Sequence, residues 1–285
     1  MIIMGLLHVF TLLLTAPLAL AACDRATLAE VTDRYVAAQS LAEIRYLKTL
    51  TPQTIYHENF KPANITTGIL SMPLKIDHRR SIYDPTSCAS YTELIIADKL
   101  KPYVIGTQIW LSPSNSTTPP QVTISKIDSI VTTTNDWLFN AAHTLHYALS
   151  ESWLPLPASL LTSRAIIQAA GDSYLNLFLN GTGSVPVPWD PSCRRLEGGL
   201  YTAPGDTCNS GVPSGISLTD RRYVIDEELG VVSVFLVFGG SKLPDSHEFR
   251  VEGGKIRYVH TITKCWEKNC GFGEPPEILG TDLGF

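Results

Sequence analysis

The stretch Arg221–Thr263 constrains the fold of this chain more than any other. Runs of β-branched and aromatic residues at Tyr223–Asp226, Val231–Phe238, Glu248–Val251 and Ile256–Ile262 are separated by turn formers at Leu229-Gly230, Gly239-Gly240, Pro244-Asp245 and Gly253-Gly254. That is the signature of an antiparallel meander. Val231–Phe238 is apolar on both faces and predicts a central strand. The last two runs alternate, so each shows one face to a core or a pocket. His247 falls beside the Pro244-Asp245 turn signal and reads as a turn residue.

A weaker copy of this stretch lies upstream. Arg79–Asp84 (RRSIYD) matches Arg221–Asp226 (RRYVID), Lys126–Thr132 matches Lys255–Thr261, and Asp33–Tyr35 matches Asp172–Tyr174 inside a helical pattern. The offsets are 142, 129 and 139 residues, with the shortfall assigned to a longer loop at Leu111–Gln121 in the first copy. The constant order predicts an internal duplication. On this alignment His260 stands where the first copy has Val131.

The segments in front of each sheet read as helices: Asp24 to about Lys48, with Asp24 as N-cap, and Leu160–Asn180. A further helical pattern, Asn135–Ser152, links the copies, capped by Asn135 or Asp136. Strands are expected at Leu74–Tyr83, Tyr91–Ala97, Tyr103–Leu111 and Val122–Thr132, whereas Thr51–Pro73 and Val185–Thr219 read as irregular. Helix then curved antiparallel sheet, twice, is an α+β pattern. Pro155 and Pro157 place the boundary at Trp153–Ser159. The expected organisation is a signal peptide at 1–21, a first repeat with linker helix at 22–152, a second repeat at 160–264 and a tail at 265–285.

The opening residues carry no charged side chain through Ala22 and end in Ala19-Leu20-Ala21, a cleavage pattern. An uncleaved anchor and a lipoprotein-type box at Cys23 are the other readings. As a secreted protein the chain keeps six cysteines, Cys23, Cys88, Cys193, Cys208, Cys265 and Cys270, and even usage in an oxidising compartment favours three disulfides. Six cysteines allow 15 pairings. The nearest-neighbour one, Cys23–Cys88, Cys193–Cys208 and Cys265–Cys270, is expected. Asn64, Asn115 and Asn180 head glycosylation sequons. A net charge of −5 with no Lys/Arg-rich run argues against a nucleic-acid partner, and no stable membrane insertion is expected once the signal is removed.

Nothing in the sequence matches a serine-hydrolase elbow, a zincin helix, a P-loop or a dinucleotide fingerprint. His143 and His146 share a helix face but lack a carboxylate at ligand spacing, so no metal and no cofactor are expected. Arg222 and Asp226 are four apart in a strand and share a face, as do Arg80 and Asp84.

The runs PYVIGTQI (Pro102–Ile109), DSIVTTTNDWLFNA (Asp128–Ala141), RAIIQAAGDSYL (Arg164–Leu175), CRRLEGG (Cys193–Gly199), RRYVIDEELG (Arg221–Gly230) and PDSHEFRVEGGKIRYVHTIT (Pro244–Thr263) resemble a family of secreted fungal proteins whose defining domain has no known function. The second copy also resembles the SnoaL-like, or nuclear-transport-factor-2-like, α+β cone. The resemblance implies two tandem cones and a place in fungal secondary metabolism, where similar proteins include hetero-Diels–Alderases that dehydrate a precursor and join its quinone methide to a terpene. On that reading the chain is a secreted or lumenal, cofactor-free cyclase or pericyclase acting on an apolar polyketide or terpenoid intermediate. His260 or Tyr258 would be the proton donor, Arg222 and Asp226 would orient it, and Tyr174, Trp189 and Phe235 would line the pocket. The alternatives are a secreted carrier that binds such a molecule without turning it over, and a structural or host-interaction protein.

Overall fold

The computed structural model describes residues 23–114, 121–180, 186–202, 208 and 211–271. The expected signal sequence and the Asn115 sequon lie outside these residues. Helix α1 (Arg25–Leu41) starts at Asp24, whose carboxylate accepts the Thr27 amide at 2.7 Å and satisfies one orphan donor of the first turn. There follow β1 (Ile55–Glu58), β2 (Lys61–Pro62), β3 (His78–Asp84), β4 (Ala89–Ile96), β5 (Tyr103–Ser114) and β6 (Gln121–Thr132). Then come α2 (Ala141–Ser150), α3 (Arg164–Asn180), β7 (Trp189–Glu197), β8 (Leu200–Tyr201), β9 (Leu218–Asp226), β10 (Val231–Phe238), β11 (Leu243–Glu252) and β12 (Lys255–Thr263).

The strands form two six-stranded sheets with one connectivity, β2-β1-β6-β5-β4-β3 and β8-β7-β12-β11-β10-β9. Each is a four-strand antiparallel meander extended by a parallel strand, β1 on β6 and β7 on β12. The meanders fall where period-2 alternation and turn glycines put them. The irregular stretches do not stay irregular, because they supply β1, β2, β7 and β8. These strands are short, or interrupted by Pro191 and two arginines, and their partner strand decides their conformation rather than their own propensity. The Pro244-Asp245 turn is also corrected. The chain turns at Gly239–Lys242, and Pro244 and Asp245 lie inside β11. Helix α2 begins later than expected, capped by Asn140, which accepts the His143 amide.

Three cores hold the molecule. Leu28, Val31, Tyr35 and Ala38 of α1 pack on Ile105, Ile109, Ile127 and Val131 of the first sheet. Ile167, Ala170, Tyr174 and Phe178 of α3 pack on Val232, Phe249, Val251 and Val259 of the second. The opposite faces of the sheets meet each other through Ile82, Tyr91, Ile130, Val224, Phe235 and Ile262. The order is therefore helix, sheet, sheet, helix. Among the described residues no helix is long and apolar enough to cross a membrane. All six cysteines are paired, Cys23–Cys88, Cys193–Cys208 and Cys265–Cys270, the nearest-neighbour connectivity. Three disulfides fit a secreted or lumenal protein.

The contact between the halves is reciprocal. Asp226 accepts the Tyr83 amide at 2.9 Å and Arg25 at the start of α1 at 2.9 Å. Asp84 accepts the Ile225 amide at 2.9 Å and Arg164 at the start of α3 through two bonds of 2.7 Å. Each aspartate thus caps the other half's edge strand and anchors a helix start, as residues do across a two-fold axis. Both carboxylates are fully buried. Asp84→Ala orphans the Ile225 amide and the Arg164 guanidinium, and should lower the unfolding free energy by about 3 kcal/mol. Chemical denaturation should give Asp226→Ala a loss of the same order, because its partners are equivalent.

Counting along the ladders corrects the alignment of the last strand. Ala89 pairs with Asp84 and Trp110, as Val231 pairs with Asp226 and Arg250. Trp110 and Arg250 face Lys126 and Tyr258, each next to a bulge. The structural offset of β6 and β12 is therefore 132 residues, and His260 stands where the first half has Asp128, not Val131.

Candidate functional site

The second half encloses a cavity of about 280 Å³ between α3 and its sheet. Its wall is largely apolar: Trp137, Phe178, Val212, Pro213, Ile216, Phe238 and Leu243. At the polar end stand Tyr174, Arg195, Glu197, Asp245, His247, Thr261 and Thr263. Strand periodicity sets this grouping. Residues 243, 245 and 247 of β11 and 261 and 263 of β12 point to the α3 side, whereas their neighbours point to the first half. Trp137 comes from the segment before α2. It reaches this wall because Gly198, at φ +56°, lets the β7–β8 turn meet that segment, where a Cβ would lie 2.6 Å from the Trp137 carbonyl oxygen. The Trp137 indole donates to Glu197 at 2.7 Å.

The chemical centre of the cavity is a buried dyad. His247 Nδ1 lies 2.5 Å from Asp245 Oδ1, and the other carboxylate oxygen accepts the Thr263 hydroxyl at 2.6 Å. His247 and Asp245 are 2% and 1% exposed. With Nδ1–H directed at a fixed carboxylate, Nε2 is the basic nitrogen available to a molecule in the cavity. Tyr174 stands beside it, with ring centroids 5.6 Å apart. Arg195 Nη1 donates to the Tyr174 hydroxyl at 3.4 Å and to the Cys208 carbonyl at 3.0 Å, and Arg195 Nη2 lies 3.3 Å from Glu197. Burial pushes the Tyr174 phenol up to about 12 against the pull of Arg195, so it stays a protonated donor.

The first half lacks this site. By ladder position its residues are Ile105 for Asp245, Thr107 for His247 and Ser129 for Thr261. Tyr35, the counterpart of Tyr174, bonds Thr107 at 2.7 Å, and Thr107 bonds Ser129 at 2.9 Å. Leu47, Ile69 and Leu70 fill the rest of that interior. A closed hydroxyl chain and a packed plug stand where the second half has a base and a cavity.

The residues expected to form a site are dispersed. Tyr174 is in the cavity wall. Trp189 opens β7 and packs edge-on against Tyr174 at 5.6 Å. Phe235 does not line the cavity: it faces the first half, against Tyr91 and Phe60. Arg222 lies over Phe60, with Nη2 3.4 Å from Asp128, and Asp226 is the interdomain anchor already described. His260 and Tyr258 point away from the cavity, into the contact between the sheets. His247, expected in a turn, is the strand residue that holds the dyad. The signal was the spacing itself, since Asp245-Ser246-His247 puts Asp and His on one face of any strand.

His260 belongs to a second polar cluster. Arg80 Nη2 lies 2.9 Å from Glu93 and 3.0 Å from His260 Nδ1 and bonds Glu248, while its guanidinium stacks on Trp153 at 3.8 Å. His260 Nε2 lies 2.7 Å from Glu151. Burial favours the neutral imidazole, yet Glu151 and Glu93 hold its proton to a pKa of about 9. Burial likewise opposes ionisation of Glu93, but Arg80 and His260 bring it down to about 2. Glu248 is pushed up by burial. Donor atoms of Glu93, Glu248 and His260 lie within 4.8 Å of one another, a spacing a metal could use. The Arg80 guanidinium already fills the cation position among them. The cluster is a buried ionic network that joins the two sheets.

Residues 161–263 match a family described as a domain of unknown function (DUF8021). The matched span runs from α3 through β12 and contains the dyad. No curated protein and no solved structure matches the chain.

Proposed function

We propose that the chain is a secreted, cofactor-independent enzyme whose second half is a SnoaL-like cone that moves protons on a small, largely apolar molecule. The observation that carries this reading is the Asp245–His247 pair inside a mostly apolar cavity, with a protonated phenol 5.6 Å away, ring to ring. A cavity of about 150 Å³ holds a benzene ring. The space of about 280 Å³ therefore suits a molecule of one or two rings rather than two large partners held together. That size favours a unimolecular dehydration, isomerisation or ring closure over an intermolecular cycloaddition.

In this mechanism Nε2 of His247 takes a proton from carbon next to a substrate carbonyl, and the electron pair moves onto the carbonyl oxygen. Tyr174, backed by Arg195, donates a hydrogen bond to that oxyanion. Asp245 stabilises the imidazolium without taking the proton. The imidazolium then returns the proton to another carbon, giving an isomer, or to a departing hydroxyl, giving an alkene and water. The aromatic wall excludes bulk water and strengthens each of these interactions.

The test is solvent exchange, which reads the proton transfer itself, whatever the product. The purified protein is incubated in D2O with a panel of one- and two-ring β-hydroxy ketones and enolisable ketones and followed by NMR. Deuterium entry at the carbon next to the carbonyl, or loss of water, is expected for at least one compound. Deletion of the gene in its native host should in parallel remove one product and accumulate its precursor. Saturable binding without exchange, turnover or a changed metabolite profile would leave the chain a carrier.

A further inference from the structure

We propose that the cleft between the two halves binds a short acidic saccharide. This cleft, of about 830 Å³, lies on the opposite face of the second sheet from the catalytic cavity. Neighbouring residues of the same strands divide between the two spaces. Phe238 and Leu243 line the cavity, whereas Val237 and Pro244 line the cleft. The far wall comes from the first half, from Asn59, Phe60 and Lys61 at the β1–β2 turn.

The wall chemistry fits a hydrated, ring-shaped anion. The cleft is open, so its occupant must tolerate water on one side. Trp266 offers an indole 44% exposed, with Lys61 Nζ 3.8 Å from its centroid. Such a surface packs the C–H face of a sugar ring while its rim stays polar. Ser217, Thr219 and Ser241 add hydroxyl groups to the same cleft. Lys61 and Lys242 supply two ammonium groups against one carboxylate, Asp220. Among the described residues neither lysine is paired with a carboxylate, and this in a chain of net charge −5. A local excess of positive charge on an acidic protein selects an anionic group. Among the described residues ten non-glycine positions have positive φ, and four of them line this cleft: Asn59 (52°), Phe60 (61°), Asp220 (53°) and Lys242 (51°). Such conformations persist only where surrounding structure imposes them, and they gather at ligand sites. Phe60 is fixed from behind by Arg222, 4.3 Å from its ring, and by Phe235.

Calorimetric titration of the purified protein with tri-galacturonic acid, beside neutral maltotriose, tests this. The acidic sugar should bind more tightly than about 1 mM and at least about tenfold more tightly than the neutral one. Binding should weaken as salt rises from about 0.05 to 0.5 M. Trp266→Ala and Lys242→Glu should each weaken it by about tenfold. Lys242 is exposed at a turn, so Lys242→Glu decides the matter if Trp266→Ala lowers stability. His247→Gln should bind the sugar like the parent chain, which separates this site from the cavity. Absence of binding, equal binding of the two sugars, or unchanged binding by Lys242→Glu would overturn the assignment.

Discussion

His247→Gln should lower turnover in the second-half cavity by about 10²- to 10⁴-fold, the range for loss of a positioned general base. Glutamine nearly fills the same volume and can still donate towards Asp245, so the fold and the apolar wall persist. The loss should therefore fall on kcat, with KM close to the parent value, because the apolar wall binds substrate and transition state alike. Asp245→Asn should approach the same loss by another route. An amide can offer Nδ1 a proton and turn the imidazole into the tautomer whose Nε2 carries hydrogen, and that tautomer cannot accept one. Tyr174→Phe should cost less, about 10- to 10³-fold, since it removes one donor to the oxyanion. Steady-state kinetics on whichever compound exchanges deuterium gives all three numbers. His260→Ala supplies the contrast. His260 lies on the other face of β12, so its loss should weaken the fold and leave kcat near the parent value in the folded fraction. If His260→Ala abolished turnover while His247→Gln did not, the chemistry would lie between the sheets and the dyad would be structural.

Much of the architecture was legible because it follows from local rules. Val231–Phe238 is apolar at every position except Ser233 and became a central strand. Asp24 ahead of an apolar stripe became an N-cap. The repeated Arg-Arg-x-x-x-Asp motif marked the equivalent edge strands β3 and β9, and its aspartates proved to be the reciprocal anchors. What was not legible depends on partners distant in sequence. Strand β7 carries a proline and two arginines and is extended because β12 lies beside it. The last-strand alignment failed by three residues, because Lys-Ile at 126–127 and 255–256 repeat by chance while the bulges at Trp110 and Arg250 fix the true register. Pro244-Asp245 carries turn chemistry inside a strand, and that masked the dyad. The inward or outward sense of His260 depended on which sheet face met the first half, a tertiary fact with no local signal.

Arg80→Met should be the most destabilising single substitution between the halves, at about 3–5 kcal/mol. Arg80 is 7% exposed and stands among Glu93, Glu248 and His260, with Glu151 beyond. Its removal leaves three buried carboxylates facing one imidazolium. The cost is the unpaired charge rather than the worth of any single bond, and a combination variant separates the two. Arg80→Met with Glu93→Gln and Glu248→Gln should recover most of the loss, because neutral groups of similar shape need no guanidinium. The pH dependence has a defined sign. His260 is raised to about 9, so its contribution is complete below about pH 6.5 and drains away as pH rises towards 9. Glu248, raised by burial, contributes fully below about pH 4.5 and loses that contribution as pH rises through its folded pKa. Glu93, at about 2, contributes above about pH 4.5 and loses that contribution as pH falls towards 2. His78, lowered by burial, takes stability away as the solution turns acidic enough to protonate it in the unfolded chain. Unfolding free energy should therefore be greatest in mildly acidic solution and fall from neutral pH towards pH 9 by up to about 1.4 kcal/mol per pH unit. His260→Gln should flatten that alkaline slope. An unchanged slope in this variant would place the titrating group outside the network, and a stable Arg80→Met chain would show that water reaches the carboxylates between the sheets.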